Sequence, residues 1–333
     1  MQIKYKNKNS LLPAAEIIKN GGLVAFPTET VYGLGANALD PDAAKKIYAA
    51  KGRPSDNPLI VHLSRAEDAV KYCDPPELFK KIAGAFMPGP ITVIMPKKDC
   101  IPKTVTGGLD SVGIRVPSNH IARELIELSG VPIAAPSANI SGKPSPTKFG
   151  HIVHDLDGRV DCMIDGGDCL FGVESTIIKI GGDGVALLRP GAITVEMLAA
   201  VVGEVRIDPA VTAKFDGVPM APGMKYRHYA PSVPVVIFDG GDDDFYKLVN
   251  GSDCGVICFD EDLPHIEKAE KMSCGPKGDS LAQAKNIFAV LRHFDGMTNI
   301  PVIYARMPSK EGIGLAVFNR LVKAAGFNII KNK

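Results

Sequence analysis

The sequence lacks the features that would quickly place it among membrane, secreted or nucleic-acid-binding proteins. No apolar run approaches the roughly 20 residues that a membrane helix needs, and no signal-type apolar core follows the N-terminal lysines. The net charge is only +1, so any basic surface must be local rather than global. These absences predict a cytoplasmic protein that does not bind membranes.

The cysteines indicate neither a disulfide framework nor a zinc site. The seven cysteines form no paired C-x-x-C set, and their scatter is typical of a reducing compartment. Cys254 and Cys258 lie in C-G-V-I-C, where burial in a strand is the favoured interpretation.

The common catalytic motifs are also missing. There is no G-x-x-x-x-G-K-[ST] loop, no H-E-x-x-H helix, no G-x-S-x-G elbow and no Ser-His-Asp order, and no cysteine has an obvious activating neighbour. This favours chemistry in which the substrate supplies its own nucleophile, while the protein supplies position and positive charge.

The 333 residues, 45% hydrophobic and 23% charged, are long for a single core and predict two domains. In the N-terminal part, strands with few helices between them indicate a mixed sheet. Pro27 and the glycines at 33 and 35 are expected to end the strand over 23–26. Strands are predicted over 23–26, 59–63, 91–95, 112–116, 132–135, 162–165, 175–180 and 185–188, and helices over 10–20, 41–51, 121–129 and 195–202.

The pattern loses its periodicity over 208–232, which predicts a linker. Beyond it, strands over 234–238, 255–259 and 302–305, with a helix over 281–294, predict a small open α/β domain. No G-x-G-x-x-G turn follows a strand there, so dinucleotide binding has little support. The linker carries a density of donors and aromatic rings that a spacer does not require, namely Lys225, Tyr226, Arg227, His228 and Tyr229.

Two clusters of polar residues could bind an anionic substrate, although each residue taken singly is explained as well by structure. The first contains threonines that can hold a small polar molecule and cations that can neutralise phosphate. Its members are Thr28, Glu29, Thr30, Tyr32, Lys51, Arg53, Asn57 and His62. The second is the hydroxyl-rich loop A-P-S-A-N-I-S-G-K-P-S-P-T at 135–147, which follows a short strand, where open α/β sheets usually bind ligands.

Arg115 and Arg189 both end apolar, strand-like runs. A guanidinium at such a place can meet a buried carboxylate or phosphate, or it can form a structural salt bridge. For an isolated arginine the salt bridge is the favoured interpretation.

Taken together, the motifs are similar to those of the YrdC-like family in its long, two-domain form. In order they are P-T-E-T-V-Y-G-L-G, K-G-R-P-x-x-N-P-L, G-I-R-V-P, A-P-S-A-N-x-S-G-x-P-S-P-T, V-E-S-T-I, L-R-P-G and P-G-M-K-Y-R-H-Y-A-P. The resemblance implies an α/β fold with a twisted mixed sheet and a large concave basic cavity, plus a smaller C-terminal Rossmann-like open α/β domain. The implied bounds are 1–207 for the catalytic domain, 208–232 for a ligand-contacting linker and 233–333 for the C-terminal domain.

The resemblance also implies an activity. A nucleotidyltransferase of this kind would combine L-threonine, bicarbonate or carbon dioxide, and ATP into L-threonylcarbamoyladenylate, with release of pyrophosphate. Mg²⁺ would accompany ATP. The product would pass to a separate tRNA threonylcarbamoyl transferase complex.

The resemblance carries roles to individual residues. Lys51 and Arg53 are implied as catalytic, and Arg115 would take the threonine carboxylate. The implied L-threonine contacts are Thr30, His62, Arg115, Ala135 and Ser175. The implied ATP contacts are Arg53, Asn57, Ser111, Ser137, Asn139, Ser145, Arg189 and a linker tyrosine, Tyr229 in preference to Tyr226.

Two alternatives stay open. A basic concavity could be a double-stranded RNA or tRNA site, because phosphate contacts do not depend on sequence. The chain could also form another carbamoyl-adenylate, as the YrdC-like segment of hydrogenase-maturation carbamoyltransferases does. Those proteins usually carry acylphosphatase and zinc-finger segments, which this sequence lacks.

Overall fold

The structure is a computed structural model that describes residues 1–214, 217, 219–222, 224, 228–297 and 299–331. The chain divides into two compact units. The first contains Met1–Ser141, Ser145–Val211 and the described residues between 215 and 225; the second contains Gly142–Pro144, Thr212–Lys214 and the described residues from 228 onward. The segment 208–232 therefore contributes to both units. Within the described part of the chain, no helix is long and apolar enough to cross a bilayer.

One large mixed sheet forms the centre of the first unit. Its described strands, in chain order, are β1 (Gln2–Lys4), β2 (Val24–Phe26), β3 (Gly33–Asn37), β4 (Ile60–His62), β5 (Ile91–Pro96), β6 (Ser111–Arg115), β7 (Ile133–Ala135), β8 (Cys162–Asp165), β9 (Thr176–Gly181), β10 (Gly184–Arg189) and β11 (Val205–Ile207). Their order across the sheet is β1-β8-β2-β3-β7-β4-β6-β5-β9-β10-β11. Neighbours such as β4 and β6 are parallel, whereas β5 and β6 are antiparallel. The predicted mixed sheet is confirmed.

Helices in the first unit follow the local start and stop signals of the sequence. They are α1 (Leu12–Lys19), α2 (Pro41–Lys51), α3 (Glu77–Phe86), α4 (His120–Ser129), α5 (Phe149–Leu156) and α6 (Val195–Val202). The Asp40 side chain caps the first turn of α2, and Gly52 ends the helix in the left-handed region with φ of 60°. The predictions for α2 and α6 are confirmed at both ends.

The strand predicted over 23–26 ends at Phe26, as expected, but glycines 33 and 35 lie in the next strand of the sheet. Both lie inside β3, which pairs antiparallel with β2. A Cβ atom at Gly35 would lie 2.6 Å from Ile133 Cγ2 and 2.7 Å from Phe26 Cε1. Glycine is therefore needed here because neighbouring side chains occupy the space that its own side chain would fill.

A buried apolar cluster fixes the strands that lead into the candidate site. Leu11, Ala14 and Ile18 from the N-terminal helical region pack with Leu125 of α4 and with Phe26 of β2. Phe26 is fully buried, so the chain leaves this core in a fixed direction just before Thr28.

The second unit is a small open α/β fold, as predicted. Its described elements are β12 (Val235–Asp239), α7 (Asp242–Asn250), β13 (Gly255–Cys258), β14 (Glu270–Ser273), α8 (Ser280–His293), β15 (Ile303–Arg306), α9 (Gly314–Ala324) and β16 (Ile329–Lys331). The strands are parallel, in the order β14-β13-β15-β12-β16. The sequence did not predict β14, β16 or α9. Every residue of α9 is buried, including the polar Asn319, Arg320 and Lys323.

Candidate active site

The register of the sheet places polar side chains from three neighbouring strands in one row. His62 at the end of β4 pairs with Arg115 at the end of β6, and Arg115 pairs with Thr92 of β5. Paired residues on adjacent strands point to the same face of a sheet. Ala135 pairs with Ile60, two residues before His62. The structure thus brings together three of the residues assigned to threonine: His62, Arg115 and Ala135.

Arg115 is buried and is held through a single nitrogen. Its Nη2 donates to Glu29 Oε1 at 2.7 Å, to Thr30 Oγ1 at 2.8 Å and to Thr28 Oγ1 at 3.4 Å. Arg115 is 4% exposed and Glu29 is also 4% exposed, so this ion pair lies out of solvent. The Arg115 Nε is buried and has no hydrogen-bond partner among the described residues. A buried donor without an acceptor is costly unless water or a ligand supplies the acceptor.

His62 is a neutral neighbour of this guanidinium. Its Nδ1 lies 3.0 Å from the carbonyl oxygen of Ile60, to which it can only donate. Burial first, and the positive charge of Arg115 second, lower the pKa of His62 to about 3. The ring is therefore uncharged at neutral pH and can contact a substrate without repelling a cation.

Ser175 and Arg189 extend the polar row toward β9 and β10. The Ser175 hydroxyl lies 2.8 Å from Thr92 Oγ1, and Arg189 Nη2 donates to it at 3.1 Å. Arg189 Nε donates to the Ser175 carbonyl oxygen at 3.1 Å. Ser175, assigned to threonine, and Arg189, assigned to ATP, are therefore in direct contact.

Lys51 fixes the hydroxyl-rich loop that follows β7 through hydrogen bonds to the loop backbone. The Lys51 Nζ donates to the carbonyl oxygens of Ser137 and Asn139, and Lys51 is 1% exposed. The Ser137 hydroxyl donates to Asn139 Oδ1 at 2.6 Å. Further along, the Ser145 hydroxyl donates to the buried Glu174 at 2.6 Å. Ser137, Asn139 and Ser145, the three loop residues assigned to ATP, thus have fixed positions. The buried ammonium group of Lys51 contacts the backbone of the first two.

Arg53 and Asn57 lie on the short connection between α2 and β4. Arg53 is half-buried and donates from Nε to the Asn57 carbonyl oxygen at 3.2 Å and from Nη2 to that of Pro58 at 3.1 Å. Asn57 is 1% exposed, and its Oδ1 has no partner among the described residues. It is a second buried polar atom without a partner on a residue assigned to a substrate.

Ser111 begins β6 and lies on the same face of the sheet as Gly113 and Arg115, because side chains two residues apart share a face. Two residues of the predicted linker, Ala221 and Met224, pack on this face with Ile60 and Ile94 in one apolar cluster. Met220 and Pro222 line a small cavity together with Ser111 and Thr92. This part of the linker therefore lies directly over the candidate site.

Tyr229 belongs to the second unit, where it is buried in a strained backbone conformation with φ of 64°. Its ring packs against Phe288, with 5.1 Å between centroids, and the Arg320 guanidinium lies 5.6 Å from the Tyr229 centroid. Its contact with ATP stays a prediction. Tyr226, together with Lys225 and Arg227, lies outside the described residues.

Three residues of this network had no role assigned from the sequence: Glu29, Thr92 and Glu174. Glu29 and Glu174 lie inside the quoted P-T-E-T and V-E-S-T motifs, and Thr92 is a polar residue in an apolar strand. Their positions in these motifs and in an apolar strand could have indicated a role in the site. The residues that they contact are known only from the fold.

Comparison with known proteins decides the family. Residues 16–191 match the Sua5/YciO/YrdC model, described as "Telomere recombination", and residues 193–326 match the model "Threonylcarbamoyl-AMP synthase, C-terminal domain". The threonylcarbamoyl-AMP synthase of Pyrococcus abyssi is 47% identical, over 96% of this chain and 94% of its own length. This chain belongs to the threonylcarbamoyl-AMP synthase family. The resemblance to the long two-domain form is confirmed.

Other members of the threonylcarbamoyl-AMP synthase family are similar to this chain over nearly its full length. The Bacillus subtilis enzyme is 44% identical, over 98% of this chain and 95% of its own length. The crystal structure of P. abyssi Sua5 complexed with L-threonine matches with a TM-score of 0.92 at 44% identity, covering 100% of this chain and 99% of that one. Escherichia coli YciO, at 24% identity and a TM-score of 0.51 over 57% of this chain and 93% of its own, shares the fold of the first unit. The predicted fold class is confirmed, while the roles of individual residues stay predictions.

Proposed function

We propose that this chain makes L-threonylcarbamoyladenylate from L-threonine, bicarbonate or carbon dioxide, and ATP, and releases pyrophosphate. One observation carries the proposal, namely the buried Nε of Arg115 that lacks a partner among the described residues. A carboxylate is the acceptor that a guanidinium binds best, and threonine supplies one. The P. abyssi relative has been crystallised with L-threonine, which supports the same ligand here.

The nucleotide half of the proposal has its own support. Asn57 Oδ1 is buried without a partner among the described residues, so a donor from a ligand would stabilise it. Lys51 lies under the loop that presents Ser137 and Asn139, so its charge acts close to any phosphate bound by that loop. Arg53 and Arg189 supply two further guanidinium groups to the same unit, and these would bind phosphate oxygens.

The reaction needs no covalent bond to the protein. The neutral amine of threonine attacks carbon dioxide and loses a proton, which gives a carbamate. A carbamate oxygen then attacks the α-phosphorus of ATP, the bond to the β-phosphate breaks, and pyrophosphate leaves. The protein holds two anions together, which favours both steps by proximity and by charge stabilisation.

Mg²⁺ would arrive with ATP. The described residues contain no group of three or more His, Cys, Asp or Glu side chains that could hold a metal ion. Triphosphate oxygens and water are suitable ligands for Mg²⁺, so the ion needs no protein cage. The labile adenylate would then pass to a separate transferase complex that modifies tRNA.

The RNA-binding alternative has weaker support. Lys51 is 1% exposed and donates to two backbone carbonyl oxygens, so its ammonium group is not on a surface that a duplex could reach. Binding to a nucleic-acid backbone depends on accessible cations. Addition of threonine with ATP should raise the melting temperature of an adenylate synthase, whereas an RNA module should not respond.

Direct detection of the product tests the proposal. The full chain is incubated with ATP, Mg²⁺, carbon-13 bicarbonate and L-threonine, and the products are analysed by mass spectrometry. We expect a threonylcarbamoyl adenylate that carries the labelled carbon, and none when threonine is omitted. If the wild-type chain gives no labelled adenylate, the proposed function is wrong.

A matched pair of variants then tests the site. Lys51→Met removes the buried charge at similar volume and should lower turnover by about a hundredfold or more. Lys80→Met removes a lysine whose side chain is 77% exposed and paired with Glu77 at 3.1 Å, and turnover should not change. Equal turnover in both variants would exclude Lys51 from the chemistry. Circular dichroism checks that both variants fold.

A further inference from the structure

Glu29 is a buried carboxylate in the amino-acid half of the site, and neither the motifs nor the relatives give it a role. Its Oε1 accepts from Arg115 Nη2 at 2.7 Å, and its Oε2 lies 3.4 Å from the backbone N–H of Asn119. Because it is 4% exposed, this carboxylate keeps its charge out of solvent only with such partners.

The backbone is fixed on both sides of the Arg115–Glu29 pair. The N–H groups of Leu170 and Phe171 donate to the Glu29 carbonyl oxygen at 3.1 and 2.9 Å. One residue earlier, the Thr28 hydroxyl donates to the Val31 carbonyl oxygen at 2.6 Å and closes a tight turn. Arg115 ends β6, which pairs with β4 and β5. The two side chains therefore meet between fixed points of the backbone.

All the hydrogen bonds described for the Arg115 side chain converge on one nitrogen. Nη2 has two hydrogens, and its two closest acceptors are Glu29 at 2.7 Å and Thr30 at 2.8 Å. This arrangement restrains rotation of the guanidinium but leaves its Nε donor available. A guanidinium that is fixed before the ligand arrives binds a carboxylate with less loss of conformational entropy.

We propose that Glu29 is a positioning residue of the amino-acid site: it fixes Arg115 so that Nε faces the substrate carboxylate. This inference rests on the proposed function, which assigns that carboxylate to Arg115. Glu29 also compensates the charge of Arg115 while the site is empty. The Arg115–Glu29 pair is then neutral, which matches a substrate that arrives as a zwitterion.

A double-mutant cycle tests this role. Glu29→Gln keeps the size of the side chain and removes its charge, and should raise the threonine KM and Kd at least tenfold, with the ATP KM within twofold of the wild type. In an Arg115→Gln background the same substitution should change threonine affinity less than twofold, because Glu29 acts through Arg115. An equal loss for both substrates, or a full additional loss in the Arg115→Gln background, would overturn the proposal.

Glu127→Gln is the matched control. Glu127 also forms a 2.7 Å ion pair, with Lys8, but both side chains are 46% exposed. This variant should retain the KM values of the wild type for both substrates. Tenfold weaker threonine binding in this control too would remove the claim for Glu29.

A measurement on the wild-type chain keeps the proposal testable if Glu29→Gln does not fold. The arginine Nε–H signal that Arg115→Lys removes from the nitrogen-15 spectrum should show slow exchange with solvent in the empty protein. It should shift when threonine is added, and not when ATP is added alone. A rapidly exchanging, mobile signal would overturn the proposal.

The two proposals fail differently. If the wild type binds threonine but makes no adenylate, the proposed function is wrong and the Kd values still test Glu29. If the wild type does not bind threonine, the positioning role of Glu29 is wrong as well.

Discussion

Two buried arginines, one in each unit, allow a structural ion pair to be compared with the pair that we propose binds a substrate. Arg115 ends β6 and Arg306 ends β15, and they are 4% and 6% exposed. Each lies 2.7 Å from a buried carboxylate, Glu29 for Arg115 and Asp262 for Arg306. By residue type, strand position, burial and pairing distance the two are nearly the same.

They differ in how the guanidinium donors are used. Arg306 binds Asp262 through both Nε and Nη2, and it binds Asp242 at 2.8 Å through Nη2 as well. Its guanidinium also lies 4.2 Å from the centroid of the Phe245 ring. Arg115 uses Nη2 alone, and its Nε has no partner among the described residues. The unpaired donor, rather than the ion pair itself, is the difference on which the proposed anion site rests.

Replacement of Arg306 should give the largest effect, on stability. Arg306→Gln leaves the Asp262 carboxylate buried without its cation, which should lower the free energy of unfolding by about 3–5 kcal/mol. Burial alone would raise the pKa of Asp262, but the pKa is lowered overall by the hydrogen bonds and charge of Arg306 together with hydrogen bonds from the Phe259 N–H and Tyr246. Hydrogen exchange of peptides from β12, β13 and β15 measures the loss in the second unit.

The double variant Arg306→Met with Asp262→Leu is the control for that experiment. Removal of both charges leaves no buried unpaired charge, so it should lose less stability than the single variant, although the Phe259 N–H and the Tyr246 hydroxyl lose an acceptor. Unchanged exchange rates in Arg306→Gln would show that the pair is not structural, and the comparison with Arg115 would fail.

Replacement of Arg115 should act on ligand affinity. Arg115→Gln should weaken threonine binding by about 2 kcal/mol or more, which is roughly a thirtyfold rise in Kd, because a buried charge-assisted contact is lost. Calorimetric titration with threonine measures the change. The affinity for ATP should stay within twofold. A threonine Kd close to that of the wild type would mean that Arg115 is a closed structural pair like Arg306.

The pH dependence of stability tests the environment of Arg115 through His62. Burial first, and the charge of Arg115 second, lower the pKa of His62 from about 6.5 in the unfolded chain to about 3. The unfolded state therefore binds more protons between these values, so stability is full above about pH 6.5 and falls as the pH decreases. One histidine contributes at most about 1.4 kcal/mol per pH unit.

His62→Gln removes this contribution. Urea unfolding at several pH values should give a shallower dependence for the variant than for the wild type below pH 6.5. If the free energy of unfolding depends on pH equally in both proteins, the pKa of His62 is not lowered in the folded state, and neither burial nor the charge of Arg115 has the expected effect.

The sequence predicted the parts of the fold that depend on local signals. An Asp-Pro start and a glycine stop predicted α2, and apolar runs predicted β5 and β8. The prediction failed where the determining contact is distant along the chain. Gly35 was expected only to help end the preceding strand, but it lies inside β3, where Phe26 and Ile133 make glycine necessary.

The same limit applies to the candidate site. The types of residue indicated an anion site, and the motifs indicated which residues belong to it. They did not reveal that His62, Arg115 and Thr92 form one row, because that depends on the register of strands up to 53 positions apart in the chain. Nor could they show that Glu29 meets Arg115, a contact across 86 positions.

The smallest expected effect separates the two carboxylates that Arg306 contacts. The Asp242 side chain is 52% exposed and is shared with Lys277 at 3.2 Å, whereas that of Asp262 is 3% exposed. Asp242→Asn should therefore lower the free energy of unfolding by no more than about 0.5 kcal/mol, and less at high salt, because water and ions screen an exposed pair. Measurement by urea unfolding at low and high salt checks this, with Asp262→Asn as the comparison. A loss from Asp242→Asn as large as that from Asp262→Asn would mean that contacts, rather than burial, determine how strongly this arginine stabilises the second unit.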